Sequence, residues 1–224
     1  MRFGRLEEES QEYAKLRDEL TRAEIALRDQ RERVAELRRS LPADQEIADE
    51  RFAEVRDGEP AAVMLSELFE NPEQPLLLLH FMYGKAQAHP CPMCTMWADG
   101  YDGVVPHLRQ RMNFVVLVAG DAASFEAYAR SRDWRNLRIV SAGESDLKQR
   151  LGFETPDGSQ FPGASVFVRR VDGSLVHTYS LCAMYAEAEG RGMDLLSPVW
   201  NFFDLTPDGR GEFMPSKAYG DTPS

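Results

Sequence analysis

Leu76-Leu77-Leu78-Leu79-His80-Phe81-Met82 runs into a polar loop that ends at His89-Pro90-Cys91-Pro92-Met93-Cys94. An apolar run of this length, bounded by Pro75, predicts a buried strand. From Cys94 to Arg111 the pattern predicts a helix, broken or bent around Gly100, Gly103 and Pro106. The cysteine pair therefore sits where a strand hands over to a helix. The unpaired N–H groups and dipole at a helix N-terminus stabilise a thiolate. Pro92 fits the first turn, where its missing N–H costs little. The spacing turns Cys91 toward solvent and places Cys94 one turn along, beneath it. Thiol–disulfide exchange needs that asymmetry between an attacking thiolate and a resolving thiol. Cys91 is the expected nucleophile and Cys94 the expected resolver.

Further strands are expected at Phe114–Ala119, Leu137–Val140, Ala164–Val168 and Leu175–Tyr179. Asp121 caps a helix running through Phe125, Tyr128 and Ala129, a short helix surrounds Leu147, and two more helical pieces span Met193–Leu205. Early alternation of strand and helix favours parallel pairing, whereas the Asp172-Gly173 turn demands a late antiparallel hairpin. An α/β fold with a mixed sheet flanked by helices satisfies both. Upstream, Met64–Phe69 reads as a short helix, and the acidic residues 43–60 as a short helix or linker closing at Asp57-Gly58-Glu59-Pro60.

The first forty residues differ. Tyr13, Leu16, Leu20, Ala23, Leu27, Val34, Leu37 and Leu41 recur in steps of three and four, with Gln30 filling the polar gap. This predicts a long N-terminal amphipathic helix whose seam approaches a heptad. Asp18–Arg22 and Glu24–Arg28 offer opposite charges one turn apart, and Leu41-Pro42 ends the element. At 1.5 Å per residue it spans roughly 50 Å, longer than a small domain is wide. It either lies along its own domain or pairs with a second copy, and a homodimer is the expectation. The expected organisation is an N-terminal extension and linker (1–60), a globular domain (61–207) and a flexible tail (208–224).

With 224 residues, 43% of them hydrophobic, the chain can hold one sizeable core plus an accessory segment. A net charge of −11, from 37 acidic and 26 basic residues, argues against nucleic-acid or anionic-membrane binding. Met1–Arg5 has no apolar stretch behind it, so no signal peptide is expected, and the longest apolar run is too short for a bilayer. The expectation is a soluble, cytoplasmic protein. Two of the three cysteines lie in one CxxC, which fits local chemistry better than disulfide stapling.

Other readings of the pair stand beside the redox one. A Cys₂His or Cys₃His metal site could recruit His89, His80 or Cys182, but structural zinc usually has four ligands, there is no second CxxC, and these residues belong to different elements. The cysteines could also be purely structural. Neither metal nor cofactor is expected. His89, beside the motif, and Trp97, on the cysteine helix, are candidates for substrate contact. Trp97 and Tyr101 also suit the core or its rim, and His80 suits a satisfied core histidine. Met93 and Met96 suit either packing or a soft docking surface. Asp99 and Asp102 read as caps or acceptors for backbone N–H groups, since neither a phosphate loop nor a calcium loop is spelled.

His80-Phe81-Met82-Tyr83-Gly84, Cys91-Pro92-x-Cys94, Trp97-Ala98-Asp99-Gly100-Tyr101-Asp102-Gly103, Pro106-His107-Leu108, Ser165-Val166-Phe167, His177-Thr178-Tyr179-Ser180 and Asp204-Leu205-Thr206-Pro207 together resemble the thioredoxin-like family catalogued as domain of unknown function 899. The resemblance covers most of residues 60–207, and the long charged N-terminal helix belongs to the pattern too. It implies a thioredoxin-like fold and specifies no reaction. It also implies a cis-proline opposite the dithiol, for which Pro162, leading into Ala164-Ser165-Val166-Phe167, is the match. The loop Lys85-Ala86-Gln87-Ala88-His89-Pro90 departs from the acidic, aromatic-containing loop of many relatives. A peroxidase variant is a further reading of the dithiol, although no Pro-x-x-x-Thr/Ser-x-x-Cys leads into Cys91. The expected function is a thiol–disulfide oxidoreductase, and the alternative is a thioredoxin-fold binding protein without turnover.

Overall fold

The computed structural model describes residues 4–5, 8–184 and 191–219. The chain forms two units, Met1–Pro42 and Ala43–Ser224. In the first, α1 (Gln11–Arg39) is opened by Ser10, whose hydroxyl accepts the Tyr13 N–H at 3.1 Å. The helix buries none of its residues, and Leu16, Leu20, Leu27 and Leu37 are each more than half exposed. The charge pairing differs from the expected one. Asp18 meets Arg5 at 2.6 Å, and Glu24 meets Arg17, two turns back, at 3.0 Å.

The second unit is built on one eight-stranded sheet. Its strands are β1 (Gln45–Ile47), β2 (Arg51–Arg56), β3 (Glu59–Met64), β4 (Leu76–His80), β5 (Asn113–Val118), β6 (Arg138–Ser141), β7 (Gly163–Arg169) and β8 (Leu175–Cys182). They lie in the order β1-β8-β7-β4-β5-β6-β2-β3. Strands β4, β5 and β6 are parallel, while β7 and β8 run antiparallel to their neighbours. The helices are α2 (Pro92–Leu108), α3 (Ala122–Ser131), α4 (Leu147–Arg150) and α5 (Pro198–Phe203). A mixed α/β sheet flanked by helices, with a CxxC at the head of the helix that follows the central strand, is the thioredoxin-like arrangement.

Two departures from the sequence reading have physical causes. Residues 43–60 form β1, β2 and the start of β3, and are neither helix nor linker. In β2, Phe52 and Glu54 point inward, and the buried Glu54 is neutralised by Arg138 at 3.1 Å and by Arg56. An inward charge hides the apolar alternation that marks a strand. Helix α2 passes unbroken through Gly100, Gly103 and Pro106, because Trp97, Ala98, Tyr101 and Val105 bind one whole face to the core.

Alternation along β4 and β5 builds a core on each face of the sheet. Leu79, Phe114 and Val116 pack with Phe81, Trp97, Tyr101, Phe125 and Trp134 on one side. On the other, Leu76, Leu78, Val115 and Leu117 pack with Phe52, Val63, Leu65 and Leu68 from the segment that follows β1. Only residues 48–50 separate β1 from β2, so Ile47 and Arg51 can be at most about 14 Å apart. Seven strands laid flat at about 4.8 Å spacing would hold β1 and β2 roughly twice that far apart. The sheet therefore curls until its first and seventh strands approach.

Candidate dithiol site

The site hangs from the C-terminal end of β4. The Tyr83 carbonyl accepts the N–H groups of Ala119 at 3.1 Å and Gly120 at 3.0 Å, which draws the chain against the end of β5. Gly84 has φ +98°, and a Cβ there would lie 2.0 Å from the Gly120 nitrogen, so the approach requires glycine. The loop then returns, and the Cys91 N–H donates to the Met82 carbonyl at 3.2 Å. Cys91 is the N-cap of α2, and Pro92 occupies its first turn. Thr95 donates to the Cys91 carbonyl from both its N–H and its hydroxyl, each at 2.9 Å, and its Oγ1 lies 2.8 Å from the Tyr128 hydroxyl.

Both cysteines are free thiols, Cys91 half-buried and Cys94 buried. A hydrogen bond with the Cys94 side chain, helped by the Cys94 and Met93 amides and the charge of Lys217, outweighs burial and holds Cys91 down at about 6. Burial, with the bond to Cys91, pushes Cys94 well above the ordinary thiol range. The environment thus splits the pair into an available thiolate and a protonated partner.

Behind Cys94 lies a buried polar group absent from the sequence reading. Lys148 on α4 is 1% exposed, and its Nζ has no hydrogen-bond partner among the described residues. Burial drops its amine to about 7, against the opposing pull of Cys94 and Glu154. His80 bonds the Ser165 hydroxyl through Nε2 at 2.8 Å and stacks on Phe153 at 3.9 Å. Its Nδ1 has no partner among the described residues, and burial first, then the Lys148 charge, keeps the ring neutral. The core-histidine reading therefore accounts for one ring nitrogen only. Glu154 accepts from Gln149 and Gln160, each at 3.0 Å, and from Lys85. In sequence, Leu147-Lys148-Gln149-Arg150 carries no sign that one of its polar residues is enclosed.

The other expected site residues divide. His89 is exposed on the loop leading to Cys91. Trp97 is not at a substrate face: it is 3% exposed, donates from Nε1 to the Ser197 hydroxyl at 3.2 Å and meets Trp200 edge-on at 5.7 Å. The side of α2 that carries it faces the core. Pro162 lies at the sheet end from which the dithiol hangs, since the next residue, Gly163, pairs with His80. The Phe161–Pro162 bond is trans, however, which corrects the expected cis-proline. The Pro162 carbonyl accepts the Ala183 N–H at 3.1 Å, so the residue continues the β7–β8 ladder. Cys182 closes β8 opposite Gly163. Among the described residues, no three His, Cys, Asp or Glu side chains gather as metal ligands.

Phe213 packs edge-on against Phe203 at 4.9 Å, and Arg210 reaches Asp194 at 3.1 Å and Asp204 at 2.9 Å. Asp102 binds the Asn136 N–H at 2.7 Å, as expected of a backbone acceptor. Asp99 instead gathers side chains, from Arg132 at 2.6 Å, Trp134 at 2.8 Å and the Tyr219 hydroxyl.

The family model described as bacterial protein of unknown function, DUF899, matches residues 5–221. No curated protein matches the chain. Among solved structures it is similar to reduced Prx3 in complex with hydrogen peroxide from Vibrio vulnificus, with 14% identity, 71% of this chain and 99% of that one covered, and a TM-score of 0.49. A putative thioredoxin reductase from Burkholderia cenocepacia is 16% identical, with 66% and 89% covered and a TM-score of 0.48. Peroxidoxin BcpB from Mycobacterium tuberculosis is 15% identical, with 70% and 95% covered and a TM-score of 0.46.

Proposed function

The chain belongs to the DUF899 family, and from its paired thiols we propose that it is a thiol–disulfide oxidoreductase. One observation carries the reading: a half-buried sulfur at a helix N-cap is held as thiolate by hydrogen bonding with a buried thiol one turn below. The Cys91 thiolate attacks one sulfur of a substrate disulfide. A Cys91–substrate disulfide forms, the substrate S–S bond breaks, and the first substrate thiolate leaves and takes up a proton. The Cys94 thiol gives its proton, relayed by one water, to the neutral Lys148 amine, and its sulfur attacks Cys91 Sγ. The second substrate thiolate then leaves, and the protein keeps a Cys91–Cys94 disulfide. Two electrons pass from the dithiol to the substrate, and an external dithiol restores the protein. No cofactor takes part. His89, exposed beside the nucleophile, contacts the incoming group. The cycle suits a reducing cytoplasm, and among the described residues no helix is long and apolar enough to cross a membrane.

Oxidised glutathione added to the reduced full-length chain tests this. The native protein should end with the internal disulfide, Cys94→Ser should stop at a glutathione adduct on Cys91, and Cys91→Ser should not exchange. Native protein that never forms the internal disulfide, read by mass spectrometry, would overturn the assignment.

A second reading rests on α1. Its exposed Leu16, Leu20, Leu27 and Leu37 suit a helical partner, and a second copy of the chain supplies a matching seam in the commonest closed symmetry. The protein is then a homodimer, and binding through this helix is a role separable from thiol chemistry.

A further inference from the structure

The described end of the chain is fastened beside the dithiol, and the fastening is specific. Asp99, on α2, accepts from Arg132 Nη2 at 2.6 Å and Nε at 3.2 Å, from Trp134 Nε1 at 2.8 Å, and from the Tyr219 hydroxyl. The Arg132 guanidinium lies 4.7 Å from the centre of the Tyr219 ring and also donates to the Lys217 carbonyl. Pro215 is buried. Residues 215–219 thus form a strap tied to α2 through the Tyr219 side chain and to the end of α3 through the Lys217 backbone. Lys217 uses this footing to donate from Nζ to the Pro90 carbonyl at 3.3 Å, placing its ammonium one peptide from Cys91.

We propose that Lys217 is a positioning residue of the site, an ammonium held by the 215–219 strap at the head of α2, where it stabilises the Cys91 thiolate. The reading rests on Cys91 being the attacking sulfur. Its chemistry is that of a fixed cation beside a developing anion, which favours the thiolate before attack and the thiolate that departs from Cys91 when the mixed disulfide is resolved. The other groups bearing on Cys91 act differently. Cys94 donates a hydrogen bond from beneath, and Tyr128 is kept neutral in the ordinary pH range by burial. The Lys148 charge bears on Cys94, and His89 is exposed on the approach loop. Hydrogen bonds from Cys94 and from the Cys94 and Met93 amides hold the thiolate, and the strap adds a cation to them. Asp99 and Arg132 neutralise one another, which leaves Lys217 as the cation acting on the sulfur.

Alkylation of Cys91 by iodoacetamide, followed from pH 4 to 10 in the reduced full-length chain, reads this without any substrate disulfide. Lys217→Met should raise the midpoint by roughly half a unit, equivalent to about three-fold less thiolate below it. Lys217→Arg should restore most of the shift, and added salt should shrink the difference between native and Lys217→Met proteins. At pH 4 to 5, where Cys91 is protonated folded or unfolded, the denaturation midpoint of Lys217→Met should match the native value. Superimposable profiles for the native and Lys217→Met proteins would overturn the proposal, as would an arginine variant that behaves like methionine. If the profiles shift while oxidised glutathione yields no internal disulfide, the oxidoreductase reading fails and the strap's role stands.

Discussion

Lys148 and Cys94 are both sealed from solvent at 1% exposure, and the charge of the amine reaches the thiol. A buried amine without a partner opposes folding. In the unfolded chain it binds a proton up to its ordinary value near 10.5, whereas in the folded chain it releases the proton at about 7. Between these values the unfolded state holds more protons, so the Lys148 contribution makes stability rise with pH.

Lys148→Met should therefore be more stable than the native protein at pH 7, by about 1–3 kcal/mol, with a flatter stability profile from pH 7 to 10. It should also lose the acceptor for the Cys94 proton. Release of the second glutathione from the mixed disulfide should slow by about ten- to a hundred-fold. Denaturant titrations across pH and quenched-flow mass spectrometry measure the two effects, and a variant that gains stability without slowing would remove Lys148 from the cycle.

The two thiols should differ in reactivity. Cys91 should be half-ionised at about 6, so its reactivity rises through that pH and is flat above about 8, while Cys94 reacts only on unfolding. A depressed thiol pKa stabilises the folded state above the unfolded value, and this contribution is lost as pH falls through about 6. Cys91→Ser should accordingly be less stable than the native reduced protein at pH 9, with the gap closing toward pH 5. Peptide-level alkylation mapping and paired denaturation curves check both halves.

The parts of this architecture that were legible in the sequence are those whose inward residues are uniformly apolar. Leu76–Leu79 and Phe114–Val118 announce strands because both faces of the sheet are covered, and Cys91-Pro92-Met93-Cys94 announces a helix start through its proline and spacing. β2 escaped because its inward Glu54 is neutralised by Arg138, a partner remote in the chain. Lys148 escaped for the same reason in reverse: a lysine between leucine and glutamine reads as solvated until tertiary packing encloses it. Trp97 was visible as a core or rim residue, but only the direction of α2 decides that it faces inward. The bond state of Pro162 and the grip of Asp99 on Arg132 and Tyr219 depend on contacts no local pattern encodes.

Gly84 should tolerate no side chain. Its φ is positive, and a Cβ at this position would come within 2.0 Å of the Gly120 nitrogen, so Gly84→Ala must part the ends of β4 and β5. The expected loss is about 2–4 kcal/mol, with a changed Cys91 alkylation profile because the loop to the nucleophile hangs from this contact. Gly173→Ala is the control. It shares the left-handed conformation, at φ +90°, but has open space around it, and should cost about 1 kcal/mol without touching the thiol. Equal losses in denaturant titrations would mean that strain alone, and not the close approach, sets the requirement.

Self-association through α1 has its own test. Sedimentation equilibrium over a concentration series should show the dimer, and Leu20→Lys with Leu27→Lys should give a monomer that still forms the Cys91–Cys94 disulfide. A native chain that sediments as a monomer at every concentration would remove the second copy as the partner of this helix.

The placement of β1 has a consequence for how the protein is made. Among the described strands β1 is synthesised first and its neighbour in the sheet, β8, last, with Ile47 facing Leu175. Contacts this distant along a chain close slowly. During translation β4, α2 and β5 can assemble long before β8 emerges, so the dithiol helix has a seat while that edge of the sheet is still open. Residues 45–47 must then wait, unpaired, for nearly the whole chain to leave the ribosome, and the closing of this edge is the natural late step of folding.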